Sequence, residues 1–346
     1  MPHAISERSS KLSQHLRNIL PDHFGVNFSL HEFDGGASNP TFRIDSEAGS
    51  IVLRTKPQGN LARGAHAIHR EWKVLEGLKD SSIPTPKPLY YCENPDIIGT
   101  EFYVMEYIPG TGFNDYSLPG LTFDQRASVY RSLNDAIATL HTLNPDLIGL
   151  SEWGRRGTVF DRQIEIWTKQ YQQLDANLPG FLELGKSLAR RAPKQSPRSL
   201  LHGDMTFLNM IVNSEEGVIA GILDWELSTV GDALADITYH LLPWYLPSNP
   251  NVGYTTLVDY EEETLGIPTM DEYIEEYLTK TGFTFGPGDI NFGIAFNLFR
   301  MAGIAMGAVQ RAKIGTAKND RAKHLESNIA LRLEQAHEYL SKSSED

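Results

Sequence analysis

The segment LHGDMTFLN at 201–209, followed by ILDWE at 222–226, constrains this chain more than any other stretch. Asp204 and Asn209 stand five residues apart on what should be a loop, opened by Gly203. A β-prone run, Asn209–Val212, follows, then a turn-forming stretch over Ser214–Gly217 and a second run, Val218–Leu223. A hairpin folds its ends back together, so this spacing predicts that Asn209 and Asp224 converge while Asp204 stands at the loop's start. Each residue alone is unremarkable, because an Asp in a glycine-containing loop is usually a turn or cap residue. The joint pattern is what carries information.

The rest of the chain divides by pattern. The first third holds short β-prone runs, FSLHEFDGG, TFRIDSEAG and SIVLRTKP, separated by Gly, Asp and Ser. The segment 65–79 reads as a helix, PTPKPL as a loop, and EFYVMEYIPG as a strand stopped by Pro109-Gly110. Helical periodicity then dominates. Thr122 with Gln125 three residues on is a capping box, opening a helix that carries Val129, Leu133, Ile137 and Leu140. Residues 161–190, 270–280, 288–312 and 321–342 read as further helices. The expected fold is α+β, in two lobes. A small strand-rich lobe would span 1–107 and a larger helical lobe 108–346.

Composition narrows the classes. The chain has 346 residues, 44 acidic and 31 basic side chains and a formal net charge of −13. That charge speaks against nucleic acid and anionic membranes as partners, but not against a local basic pocket. Cys92 is the single cysteine, so an internal disulfide is excluded and a reducing, cytoplasmic setting is expected. The opening MPHAISERSSKLSQHLRNIL shows no apolar leader. NFGIAFNLFRMAGIAMGAV, interrupted by Asn297 and Arg300, reads as too short and too polar to span a bilayer, hence as a buried core helix.

Phosphoryl transfer needs a carboxylate to orient the attacking hydroxyl and hard oxygen ligands for Mg²⁺ bridging the phosphates. Asp, four residues, Asn, a hairpin and a second Asp supply that set. HGD-x₄-N, DWE and GDALAD (231–236) together resemble the aminoglycoside phosphotransferase and choline kinase superfamily, over roughly residues 25–310. DGGASNPTFRI, IVLRTKPQG and GAHAIHREWKVLEGL are similar in particular to kinase domains associated with certain acyl-CoA dehydrogenases. The resemblance implies a protein-kinase-like fold, with Asp204 as catalytic base and Asn209 and Asp224 as Mg²⁺ ligands. It also implies Asp236 as a brace beneath the loop and His202 as a structural member of it. Ala233 stands where the family usually has Pro. A hydroxyacid or hydroxyacyl-CoA acceptor is implied, with ATP as donor; a nucleotide-binding pseudokinase is the alternative, and oligomeric state is not readable.

The nucleotide side follows from position. Gly35, Gly36, Ser38 and Asn39 lie between two strands, where glycines let backbone approach phosphates and the polar pair adds hydrogen bonds. A cation on the next strand should contact phosphate and pair with a helix Glu. Arg54 is favoured, with Lys56 its competitor two residues on. On the 65–79 helix, Ile68, Trp72, Leu75 and Leu78 define an inward stripe, and Glu71 lies near its centre, so a Glu71–Arg54 or Glu71–Lys56 pair is expected. Met105 would sit behind an adenine, with backbone groups of Glu106 and Ile108 facing it. His66, His69, His141 and His240 lack metal-ligand spacing, and His141 reads as a packed histidine. Trp244 and Tyr245 are either acceptor-pocket lining or core. Arg155, Arg156 and Arg162 form the densest basic stretch of the large lobe. Basic residues near the acceptor would favour an acid, acidic ones an aminoglycoside.

Overall fold

The computed structural model describes residues 8–25, 27–33, 39–57, 68–154, 157–174, 178–194, 196–248, 255–313 and 319–343. Its contacts divide the chain into two compact units. The first is Met1–Thr111 with Ile219–Ser228, and the second is Gly112–Val218 with Thr229–Asp346.

The first unit is built on a five-stranded antiparallel sheet of order β1-β2-β3-β5-β4. The strands are β1 (Phe28–Glu32), β2 (Thr41–Ser46), β3 (Gly49–Thr55), β4 (Pro88–Cys92) and β5 (Phe102–Glu106). Alternation sorts their side chains. Phe42, Ile44, Ile51, Leu53, Phe102 and Val104 share one buried cluster with Leu12, Leu16 and Leu20. Leu12 and Leu16 belong to helix α1 (Ser9–Ile19), an element the sequence reading did not assign. Register places Arg54 opposite Tyr103, so both side chains rise from the same sheet face. Helix α2 (Ile68–Leu78) buries Ile68, Glu71, Val74, Leu75 and Leu78. Val74 thus takes the inward place expected of Trp72, which is half-buried and lies 5.7 Å from the Tyr91 ring.

The second unit is mostly helical. Helix α3 (Phe123–Thr142) opens on the Thr122–Gln125 capping box, with both reciprocal hydrogen bonds present. Val129, Leu133, Ile137 and Leu140 are buried, as the periodicity requires. The stretch 161–190 is two helices, α4 (Val159–Gln172) and α5 (Phe181–Arg191); Gly180 at φ 87° leads into the second. Strand β6 (Arg198–Leu201) pairs antiparallel with β9 (Thr229–Asp232), and the chain runs directly from β9 into helix α6 (Ala233–His240). Strands β7 (Met210–Asn213) and β8 (Val218–Ile222) occupy the intervening sequence. Short helix α7 (Glu262–Leu265) and helices α8 (Met270–Thr281), α9 (Pro287–Lys313) and α10 (Asn319–Lys342) complete the unit.

Helix α9 corrects the sequence reading in one respect. Pro287–Gln310, with mean hydropathy 1.5, is long and apolar enough to cross a membrane. Its most apolar window is 78% buried inside the protein, the behaviour of a core helix. Asn297 donates its Nδ2 there to the carbonyls of Ala235 and Gly293 and to the Thr238 hydroxyl, while among the described residues its Oδ1 has no partner. A Cβ at Gly293 would come within 2.5 Å of Thr238, so this glycine permits the close approach of α9 to α6.

Candidate active site

Two polar clusters, one in each unit, contain the residues singled out by sequence. In the second unit the loop after β6 hangs on Asp236. Its Oδ2 accepts the His202 backbone N–H at 2.8 Å, and its Oδ1 accepts that of Gly203 at 2.8 Å. His141 Nε2 lies 3.3 Å from the same Oδ2, and His141 Nδ1 lies 2.7 Å from the Tyr277 hydroxyl. Burial alone would push the Asp236 carboxyl upward, but the His141 and backbone hydrogen bonds outweigh it and hold the group below its ordinary range. His202 is fully buried, and its Nδ1 accepts the Asp204 backbone N–H at 3.2 Å.

These bonds aim Asp204. Tyr239, on α6, donates its hydroxyl to Oδ1 at 2.9 Å. Asn209 closes a 3₁₀ turn over Phe207–Asn209 and donates Nδ2 to both the Asp204 carbonyl and Oδ2, each at 2.9 Å. Because both of those partners are acceptors only, the Asn209 amide orientation is fixed and its oxygen remains available as a donor atom to a ligand. Arg300, on α9, donates to the Gly203 carbonyl at 2.7 Å and places its guanidinium 4.8 Å from the Tyr239 ring centre. On the other side of the loop, His240 Nδ1 lies 3.2 Å from the Met205 carbonyl and Nε2 lies 3.0 Å from the Tyr273 hydroxyl. Burial lowers His240 to about 4, so it is neutral near pH 7. A carbonyl only accepts, so Nδ1 carries the proton and Nε2 accepts from Tyr273.

In the first unit Arg54 meets two carboxylates. It donates Nε and Nη2 to the two oxygens of Glu71, each at 2.7 Å, and Nη2 to Asp224 Oδ1 at 2.8 Å. Tyr103 adds its hydroxyl to Glu71 Oε2 at 3.3 Å. Glu71 is 1% exposed, and burial pushes its carboxyl up to about 7, with Arg54 pulling the other way. The same two carboxylates and the Tyr103 ring hold Arg54 firmly protonated against its burial. Lys56 does not compete for Glu71: it lies beyond β3 and pairs with Glu101 at 3.0 Å. Asp224 sits in the left-handed region, at φ 63° and ψ 60°, one of two non-glycine residues there among those described.

The remaining predicted positions are placed as follows. Asn39 is fully buried, and among the described residues neither atom of its amide has a hydrogen-bond partner. Gly35, Gly36 and Ser38 lie outside the described residues, as do His66, Arg155 and Arg156. Met105 is buried on β5, and Glu106 closes that strand with its N–H on the Lys87 carbonyl at 3.0 Å. The Ile108 side chain fills space that a Cβ at Gly221 would invade at 2.6 Å. Trp244 packs against Tyr130, His240 and Tyr273 and borders a cavity of about 250 Å³ with Leu257, Ile267 and Pro268. Among the described residues no three His, Cys, Asp or Glu side chains converge as a metal site.

Comparison with known proteins places this arrangement. The model of the phosphotransferase enzyme family matches residues 29–273. The chain belongs to that family. The chain is 37% identical to mouse acyl-CoA dehydrogenase family member 10 over 90% of its own length and 29% of that protein's. It is 35% identical to the probable acyl-CoA dehydrogenase IBR3 of Arabidopsis thaliana over 86% of its length and 38% of that protein's. The chain therefore spans well under half of these curated relatives. Among solved structures, one from Ralstonia eutropha, described as a candidate aminoglycoside phosphotransferase, is 33% identical, with TM-score 0.86 over 96% of this chain and 98% of that one. Choline kinase from Cryptosporidium parvum has TM-score 0.66 at 15% identity, over 96% of this chain and 97% of that one. A mutant of the aminoglycoside phosphotransferase APH(4)-Ia, solved with AMP-PNP and hygromycin B, has TM-score 0.59 at 13% identity, over 94% and 98% of the two chains. The last two share the fold. Tyr239, Tyr103 and Arg300 were not singled out as site residues by sequence. Each reaches its partner only through tertiary contact, and no local motif marks it.

Proposed function

We propose that this phosphotransferase is an ATP- and Mg²⁺-dependent small-molecule kinase, with residues 1–107 serving the nucleotide and 108–346 the chemistry. The observation that carries the reading is the state of Asp204, whose two oxygens are held by two neutral donors, Tyr239 and Asn209. A carboxylate so aimed can accept the proton of an acceptor hydroxyl. As that oxygen attacks the γ-phosphorus, the bond to the β-bridging oxygen breaks and ADP leaves with the electron pair. Catalysis is then mainly positioning and charge neutralisation.

The donor set suits Mg²⁺, which prefers oxygen ligands and commonly takes only one or two from the protein side chains. Asp224 would offer such an ion a carboxylate and Asn209 an amide oxygen, and its charge would offset that of the phosphates. The orphaned amide of Asn39 supports a nucleotide on the first unit, because an unbonded buried amide costs about 1–3 kcal/mol until a ligand meets it. Arg54, oriented by Glu71, would face phosphate oxygens, and Gly35, Gly36 and Ser38 would follow the phosphates with backbone groups. Lys56, tied to Glu101, is the weaker candidate. Met105, Glu106 and Ile108 would border the base. The family relationship to acyl-CoA dehydrogenase family members favours a hydroxyacid or hydroxyacyl-CoA as acceptor, in a cytoplasmic setting.

Asp204→Ala should cut phosphoryl transfer by about 10²–10⁴-fold while ATP binding persists. ATP-dependent product formation at the wild-type rate in that variant would remove Asp204 from the mechanism. Asp224→Ala should weaken nucleotide binding only when Mg²⁺ is present, measured by titration with and without the ion. An ATP-consumption screen over hydroxyacyl-CoAs, hydroxy acids, aminoglycosides, choline and sugars identifies the acceptor. A nucleotide-binding protein without transfer would bind ATP and consume none with any of them.

A further inference from the structure

We infer that Arg300 selects the acceptor, its guanidinium receiving a negatively charged group on the molecule whose hydroxyl Asp204 activates. The inference rests on the reading of Asp204 as the base and adds a charge requirement to it. From Ile290 to Gln310 the sequence of α9 carries a single charged residue, Arg300. Every other position there is uncharged, and the helix is largely core. Arg300 itself is half-buried, so solvent meets part of its charge and protein groups the rest. The compensation on hand is weak. Arg300 spends one donor on the Gly203 carbonyl at 2.7 Å and rests 4.8 Å from the Tyr239 ring centre. Both partners are neutral, and among the described residues no carboxylate pairs with Arg300. A guanidinium carries five N–H donors in a rigid fork suited to a carboxylate or phosphate.

The location gives this spare capacity a purpose. Gly203 is the residue before Asp204, and the Tyr239 ring under Arg300 carries the hydroxyl that binds Asp204 Oδ1 at 2.9 Å. An acceptor whose hydroxyl meets Asp204 and whose anionic group meets Arg300 is held at two points on one rigid assembly. Polycationic acceptors are disfavoured by the same charge. The shared chemistry is a negative charge within reach of the hydroxyl; a free hydroxy acid supplies it as carboxylate, and a CoA thioester supplies it through the carrier's phosphates.

The test measures steady-state kinetics of the full chain with Mg·ATP on short 3- and 4-hydroxy acids, their CoA thioesters and the matching neutral diols. Wild-type kcat/KM should favour an anionic probe over its diol by about tenfold or more, as for a lost charged hydrogen bond. Arg300→Met should cost the anionic probes at least about tenfold more in kcat/KM than it costs the diols, through KM, and Arg300→Lys should restore part of that difference. Preference for the free acid over its thioester assigns the carboxylate; the reverse assigns the carrier. Equal use of diol and anion, no turnover of any anionic probe, or an Arg300→Met loss shared equally by all acceptors would each overturn the inference. The last result would make Arg300 a scaffold residue acting through Tyr239. Asp204→Asn separates the two readings. Turnover persisting in it defeats the base assignment, whereas an inactive Asp204→Asn beside a charge-blind Arg300→Met defeats only the role of Arg300.

Discussion

Glu71 and Asp236 are both buried carboxylates, one in each unit, and they behave in opposite ways. Glu71 has a guanidinium against it at 2.7 Å, yet its carboxyl is pushed up to about 7. Asp236 has no Lys or Arg partner among the described residues, yet it is held below its ordinary range. The difference lies in what surrounds each charge. Glu71 shares Arg54 with a second carboxylate, Asp224, whose repulsion adds to desolvation. Asp236 accepts two backbone N–H groups and faces a histidine, each placed by the fold itself. Aimed hydrogen bonds stabilise a buried charge at least as well as a shared cation does. Each solution also suits its place. Arg54 is poised to trade partners, whereas the loop carrying Asp204 is fixed.

The comparison can be broken by removing each carboxylate. Glu71→Ala should destabilise the protein most, by about 4 kcal/mol, because Arg54 loses its bidentate partner in a buried setting. Asp236→Ala should cost about 3 kcal/mol by stranding the N–H groups of His202 and Gly203. Urea unfolding of the full chain measures both, and an indifferent Asp236→Ala would undo the argument that backbone donors set its state. His240 sharpens the point, since it is a buried group kept neutral by burial. Its ring sits at about 4 against an ordinary 6.5, so the unfolded chain takes up the proton first as pH falls. The stability it contributes is complete above about pH 6.5 and drains away towards pH 4, by up to about 3 kcal/mol. His240→Asn should flatten that part of the stability–pH curve. Thr122→Ala, at a cap remote from either carboxylate, should cost only about 1 kcal/mol and leave kinetics unchanged.

Local rules carried much of the fold. The Thr122–Gln125 box, strands β1, β2, β3 and β5 of the first sheet and the helices from 270 onward follow from spacing and periodicity alone, whereas β4 (Pro88–Cys92) begins inside PTPKPL, which reads as a loop. Glu71 was legible because helical geometry put a carboxylate in an apolar stripe, although Val74 rather than Trp72 completes that stripe. Helix α1 was missed because it is short and buries only Leu12, Ser13 and Leu16, too few positions for a clear period. Pro179-Gly180 marks the break between α4 and α5 in the sequence, and the helical rhythm on either side masked it. The partners of the site residues were the least legible. Tyr239 lies 35 positions from Asp204, and Arg300 lies 97 from Gly203, with nothing local to announce either. The return of Ile219–Ser228 to the first unit, bringing Asp224 to Arg54, is likewise a property of the whole chain.

The backbone at Asp224 has a consequence for how this chain can change over time. A residue with a Cβ at φ 63° carries about 1 kcal/mol or more of strain, which glycine would relieve. Asp224→Gly should therefore be more stable than Asp224→Ala, though both discard the same carboxylate. Selection for thermal tolerance alone would erode the aspartate towards glycine, and selection for turnover would restore it. Position 224 thus becomes a gauge of which pressure a given lineage has felt.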